Sequence, residues 1–419
     1  MDQTIDSNNN DGIQVDGSRS QSNAHLSSQK QQQSKQHPER REECQSETAA
    51  SAATASNDAR QVIFHSKIRE LRKSGECLRS DCAQPDLLQR PTWFDEEQFK
   101  NAKSVYERHF MGVNFAHLSG LLLLVRINSV FRTLSATGKS DSVAKLFTRY
   151  YQTVIHVKKW YEGDIFDENS EAHRSLLIVR GMHNKVSTDL NDAKRTSSRE
   201  GDEIEPDIEN LKCVGAVKTN ENSAKQVHIS EYDIMLTQFA FVGFIVTRAK
   251  FIGLIDDFSQ HDLESMLHFW RVIGYYLGAS DAYNLCAREL DEIVGLCEAI
   301  LELEFKQSIL RNPVTSPPGI MGINIVRSIK FVPMLTIYGI TKYLYELIDI
   351  DTAEFEARAT WYSRLSYTLI KLVMSRLLAY KGFRWFNNGL TRLSVYLVGK
   401  IEDFFLRHLE SKYGNELKL

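Results

Sequence analysis

Six cysteines in 419 residues are too few and too scattered for a disulfide framework. Cys77 and Cys82 form the only close pair, and their spacing matches no common zinc pattern, so reduced, intracellular thiols are expected. Long apolar runs are missing as well. No window offers the roughly 18 uninterrupted apolar residues that a membrane-spanning helix needs. Gly112–Val125 is short and carries His117, while Leu236–Ile255 carries Arg248 and Lys250, so both read as core helices. Met1–Arg60 has no apolar leader core, and no secretory signal is expected. Excess charge of either sign is also absent. The 51 basic residues against 54 acidic ones leave a net charge of −3, which argues against nucleic acid as the main partner. No G-x-S-x-G elbow, no G-x-x-x-x-G-K-[ST] loop and no H-E-x-x-H pair occurs, which removes three large enzyme classes.

What is present is helical periodicity. Phe99–Phe110 is amphipathic, and Leu118–Leu134 is nearly all apolar with Arg126 and Arg132 interrupting. Ser142–Glu162 places Val143, Leu146, Phe147, Tyr150, Val154 and Val157 three and four residues apart, and Ala172–Val186 follows the same rule. Asp95-Glu-Glu reads as a helix start, and Ser230-Glu-Tyr-Asp233 reads as a capping box with Asp in the place of Glu. Alternating strand patterns are lacking. The expected class is therefore all-α: one large helical bundle.

Residues 1–90 read as a disordered or weakly ordered tail, since SNNND, QKQQQSKQ and SAATASN bury too little apolar surface to offset ordering entropy. A short helical pattern surrounds Val62, Ile63, Ile68 and Leu71. Residues 91–311 form the expected helical domain, interrupted by a polar insertion over Ser187–His228. After the breaker Asn312-Pro-Val-Thr-Ser-Pro-Pro-Gly, residues 312–419 read as helices packed on that domain or on a membrane surface. Glu302 and Glu304 read as a solvated helix face.

Three clusters could carry chemistry. In Leu176–Val186, Arg180 and His183 are one turn apart on a partly apolar helix. A neutral imidazole with a guanidinium nearby suits axial ligation of haem iron and pairing with a propionate; a core histidine bound to a carbonyl is the plainer alternative. In Ser230–Phe244, Asp233, Thr237 and Phe241 share a stripe with Gln238 beside it, fitting either pocket polarity or a buried structural network. In Leu267–Gly278, His268 and Arg271 share a face, and Gly274 and Gly278 permit close helix approach. That face could line a ligand cavity or a tight helix crossing.

These clusters, in this order, resemble the family of the ER-bound oxygenase of mycophenolic acid biosynthesis and the latex-clearing rubber oxygenase. The resemblance runs from about Asp95 to about Ile300. It rests on Thr137-Gly138-Lys139, Thr148, V-R-x-x-H at Val179–His183, D-x-x-x-T-Q at Asp233–Gln238 and H-x-W-R-x-x-G-x-x-L-G at His268–Gly278. It implies an all-helical fold holding haem b in a buried cofactor pocket, with His183 as the iron ligand and Arg180 as a propionate or supporting partner. Thr148 would be a catalytic hydrogen-bonder on the distal side, with Arg180 also in a catalytic role. Asp233, Gln238, His268 and Arg271 would be cofactor-binding or pocket residues. Two positions depart from the rubber-cleaving members: Phe147 stands where a lysine can occupy the iron, and Arg126–Thr133 lacks a carboxylate that could serve as a base.

The expected function is a haem-dependent oxygenase acting with dioxygen on a hydrophobic, isoprenoid- or lipid-like substrate, with oxidative C=C cleavage as its concrete form. The alternative is a non-catalytic helical module of the same fold that binds a lipid or a partner protein. A third arrangement would build a non-haem metal site from His183, His268 and Asp233. Over Trp361–Leu390, aromatic and basic residues flank an apolar face, which suits peripheral contact with an ER-type membrane or, equally, a bundle helix whose basic side chains snorkel.

Overall fold

A computed structural model describes residues 58–80, 84–199, 227–329, 335–357 and 359–414. The chain divides into Met1–Val62 and Ile63–Leu419. In the first unit residues 58–62 are helical, and the remaining elements belong to the second. Those are α1 (63–75), α2 (Glu96–Arg108), α3 (Phe110–Leu124), α4 (Asn128–Ala136), α5 (Val143–Glu162), α6 (Glu171–Arg199), α7 (Glu231–Arg248) and α8 (Gln260–Tyr276). They are followed by α9 (Leu290–Ile300), α10 (Gln307–Arg311), α11 (Pro317–Ser328), α12 (Ile337–Leu347), α13 (Ala353–Glu356), α14 (Trp361–Ser375), α15 (Lys381–Lys400) and α16 (Glu402–Tyr413). The fold is all-α, with no strand among the described residues.

Local chemistry starts these helices. Asp95 caps α2 by accepting from the Gln98 N–H, and two glutamates follow in the first turn. Ser230 and Asp233 exchange both bonds of a capping box at α7, and Ser259 and Asp262 do the same at α8. Ser142 caps α5, and Ser316 followed by two prolines opens α11.

The centre of the bundle is the crossing of α3 and α7. Gly120 permits it: a Cβ there would lie 2.0 Å from the Ala240 carbonyl oxygen. Around this crossing α2 packs on α8, α5 on α6 and α11, α12 on α14, and α16 on α5. A run of stacked rings fills the space between α2, α5 and α8, with Tyr106–Tyr161 at 4.0 Å and Tyr161–Phe269 at 4.2 Å. Trp270 donates to the Tyr161 hydroxyl at 2.7 Å, so the polar end of that buried indole is satisfied. Glu231–Phe251 is the one described helix long and apolar enough to cross a bilayer, and it is mostly buried in this core.

Four sequence expectations change. The apolar stretch Leu118–Leu134 is not one helix: α3 and α4 meet at about a right angle, 90°. Arg126 sits buried at that corner, donating to the Asn312 carbonyl while Asn312 donates back to the Arg126 carbonyl. Second, order begins before residue 91, because Ile68 and Leu87 are buried in the core; the tail over 1–57 lies outside the described residues. Third, helix continues past Val186 to Arg199, and Asn191 binds the backbone of His228 through both its amide oxygen and nitrogen. The remainder of the expected polar insertion, 200–226, lies outside the described residues. Fourth, Glu304 is buried and not solvated. A π-helical turn over Leu301–Lys306 shifts the register of the helix, and Glu304 accepts from the Tyr232 hydroxyl at 2.9 Å and faces Arg72. Glu302 remains at the surface, paired with Lys306.

Candidate functional site

The short helix α4 presents hydroxyls four residues apart on one face, and each meets a different element. Ser129 donates to the Asp233 carboxylate at the start of α7, at 2.7 Å. Thr133 bonds the Nδ1 of His228 at 2.9 Å. Thr137, just past the helix end, accepts from the Arg149 guanidinium of α5 at 3.3 Å. The same Arg149 nitrogen lies 2.6 Å from the Ser140 hydroxyl and 3.5 Å from the Leu134 carbonyl. Burial lowers the pKa of this arginine, and its neutral oxygen partners contribute no negative charge. Asp233 is the acidic member of this wall. Burial raises its pKa, opposed by bonds from Ser129 and Ser230 and by the charge of Arg132.

His183 stands on α6 close enough to feel Arg149. Burial pushes its pKa down to about 4, and the neighbouring guanidinium adds to the shift. At neutral pH the imidazole is therefore uncharged. Its Nδ1 is buried and has no hydrogen-bond partner. An unsatisfied buried ring nitrogen is costly, and His65, His109 and His117 carry such nitrogens as well; His183 differs from them in its neighbouring Arg149 guanidinium. It fits the ligand type that haem iron takes, a neutral imidazole.

The other expected site residues go elsewhere. Arg180, one turn before His183, donates to the Pro85 carbonyl at 2.7 Å. Thr148 is half-buried on α5 beside Arg149, whereas its neighbour Phe147 stacks on Tyr151 and Phe405 towards α16. Gln238 is saturated: its amide nitrogen donates to the Trp270 carbonyl and Asn284, and its oxygen accepts from the Leu285 N–H at 2.7 Å. His268 accepts from the Asp95 N–H at 3.0 Å, so it joins α8 to the start of α2, and burial lowers its pKa. Arg271 lies over the Trp93 ring at 4.0 Å. The pairs His183–Arg149 and Asp233–Ser129 thus share the α4 wall, while Gln238, His268 and Arg271 belong to the joint between α2, α7 and α8. No group of three His, Cys, Asp or Glu residues able to hold a metal ion occurs among the described residues, which overturns the arrangement of His183, His268 and Asp233 around a non-haem metal.

Sequence reasoning missed Arg149, His228 and the α4 stripe. The signal was present as Ser129, Thr133 and Thr137 at i, i+4 and i+8, hidden because Leu118–Leu134 reads as one helix. It also missed a cleft of about 870 Å³ between α2, α5 and α15, lined in part by Lys103, Tyr106, Lys158, Arg392, Tyr396 and Lys400. None of the seven expected site residues lines that cleft. Compared with family models, curated proteins and solved structures, the chain matches none.

Proposed function

We propose that the chain is a haem-dependent oxygenase-type protein that acts with dioxygen on a hydrophobic, isoprenoid- or lipid-like substrate. The observation that carries this reading is His183: a half-buried, uncharged imidazole whose enclosed Nδ1 has no partner, beside a guanidinium. Those residues fit haem b. His183 would hold the iron, and Arg149, whose bonded partners are all neutral oxygens, would balance a carboxylate of the group. When bound, haem supplies an iron centre that activates dioxygen for oxidation of an apolar chain. The chain's own contribution is positional. The α4 hydroxyls hold Arg149, His228 and Asp233 in place, burial keeps the His183 nitrogen unprotonated, and Thr148 offers a half-buried hydroxyl one residue from Arg149.

A second reading, a non-catalytic helical module that binds a lipid or a partner protein, is favoured by a separate observation. Gln238 and His268 have their partners inside the fold, and Arg180 is engaged by Pro85. One experiment separates the two readings. The chain purified from haem-supplemented cells should show a Soret band that moves on reduction and again with carbon monoxide. His183→Ala should remain folded and lose that band. A colourless, well-folded wild-type protein leaves only the second reading.

A further inference from the structure

The most unusual surface of the molecule lies on α14 and α15. α15 is built inside out. Its inward face is largely polar, with Phe383 and Val398 the apolar exceptions: Arg384 pairs with Asp257 at 2.6 Å, Asn388 accepts from the Met111 N–H and donates to the Arg108 carbonyl, and Arg392 pairs with Glu162 at 3.0 Å. Its outward face is apolar. Phe386, Leu390, Leu393 and Leu397 recur at three- and four-residue spacing, all about half exposed or more, with Trp385 beside them at 78% exposure. On α14, Trp361, Leu365 and Leu372 repeat the pattern and are likewise exposed. Placing apolar side chains in water while using a helix's polar residues for packing reverses the usual economy of burial, and such patches mark contact surfaces.

Charge indicates what covers it. From Thr360 to Ile401 the chain has seven Lys and Arg residues and no Asp or Glu. Arg376 and Lys381 precede the apolar stripe in the chain and Lys400 follows it, and all three are exposed. Tyr396 and Lys400 also form part of the lip of the cleft between α2, α5 and α15, whose lining sets Lys103, Lys158, Lys159 and Arg392 against Glu107 and Glu162 and so stays basic on balance. A second copy of the same face would oppose these basic groups with like charge. An anionic bilayer offers apolar depth for the stripe and negative headgroups for the rim, and exposed Trp and Tyr suit the depth between them.

We propose that the outer face of α14 and α15 docks on an anionic lipid bilayer, with Trp385, Phe386, Leu390 and Leu393 entering the acyl boundary and Arg376, Lys381 and Lys400 meeting the headgroups. This rests on the surface alone and not on His183. The full chain should co-sediment with phosphatidylcholine vesicles containing phosphatidylserine, and far less with phosphatidylcholine alone. Added salt should release it. Lys381→Gln with Lys400→Gln should weaken partitioning about thirtyfold, roughly fivefold per charge. Trp385→Ser with Phe386→Ser changes only exposed positions, so it should stay folded by circular dichroism and lose vesicle binding. His183→Ala should bind vesicles as wild type does, which keeps this test separate from the haem reading. Wild-type protein that ignores anionic vesicles, or binds neutral ones equally well, overturns the proposal. So does a stable dimer that Trp385→Ser with Phe386→Ser dissociates.

Discussion

Gln238 shows how a polar residue on an apolar helix can be purely architectural. All three of its bonds end on protein groups, and Gly274 leaves room for its amide, since a Cβ there would come 2.7 Å from the Gln238 nitrogen. Gln238→Ala strands the Leu285 N–H in the core, while Asn284 Oδ1 keeps the Cys286 N–H, a loss of about 2–4 kcal/mol from the unmade bonds and the cavity. Urea unfolding should show a lower midpoint, while haem content per folded molecule should stay at the wild-type level. A lost Soret band at unchanged stability would instead put Gln238 at the cofactor. His183 is the opposite case, a residue with an atom left over. In the sequence both are polar residues in apolar helices, and only the partners around them tell the roles apart.

Among elements, the α3–α7 crossing and the α3–α4 corner decide the most. At the crossing, Gly120→Ala drives a methyl into the Ala240 backbone, which cannot yield as a flexible side-chain tip could. The substitution should cost about 3 kcal/mol and appear as a lowered thermal midpoint. The capping box at Ser230 was legible from the sequence because its signal is local, three residues of side chain and backbone, and the box at Ser259 carries the same kind of signal but was missed. The α3–α4 corner was not legible. Nothing between Leu118 and Leu134 breaks a helix; the turn is held by Arg126 reaching Asn312, far along the chain. The π turn that buries Glu304 escaped for a similar reason, since one shifted register reassigns every face after it while leaving composition unchanged.

Across the molecule, burial keeps five histidines neutral. The pKa values of His109, His117, His156, His183 and His268 are all pushed down, mainly by burial, with His117 at about 3 and His183 at about 4. The unfolded chain takes up protons near pH 6.5 that the native state refuses. Stability from these groups is therefore complete above about pH 6.5 and is lost as pH falls towards their folded values. Each fully neutral histidine contributes a slope of about 1.4 kcal/mol per pH unit in that window. Urea midpoints should fall steeply from neutral pH to about pH 4.5. His117→Leu, which replaces an imidazole enclosed by Tyr161, Phe241 and Trp270, should flatten the decline by one histidine's share. An identical slope in that variant would show that His117 already protonates in the native state.

The sequence by itself determined the helical class, the starts of α2, α5 and α7 and the core character of the apolar stretch read over Leu236–Ile255, which the structure bounds at Glu231–Phe251, because periodicity and caps act over a few residues. It also marked His183, and the aromatic and basic pattern of the C-terminal helices. Tertiary structure alone decided which polar residues find partners. It separated Arg180 from His183, closed Gln238 and His268 into the helix joint, and brought Arg149 and the α4 hydroxyls to the His183 wall. It also turned the apolar face of α15 outward. Helical periodicity defines a face but not the direction it points, and direction is set by contacts between residues distant in the chain.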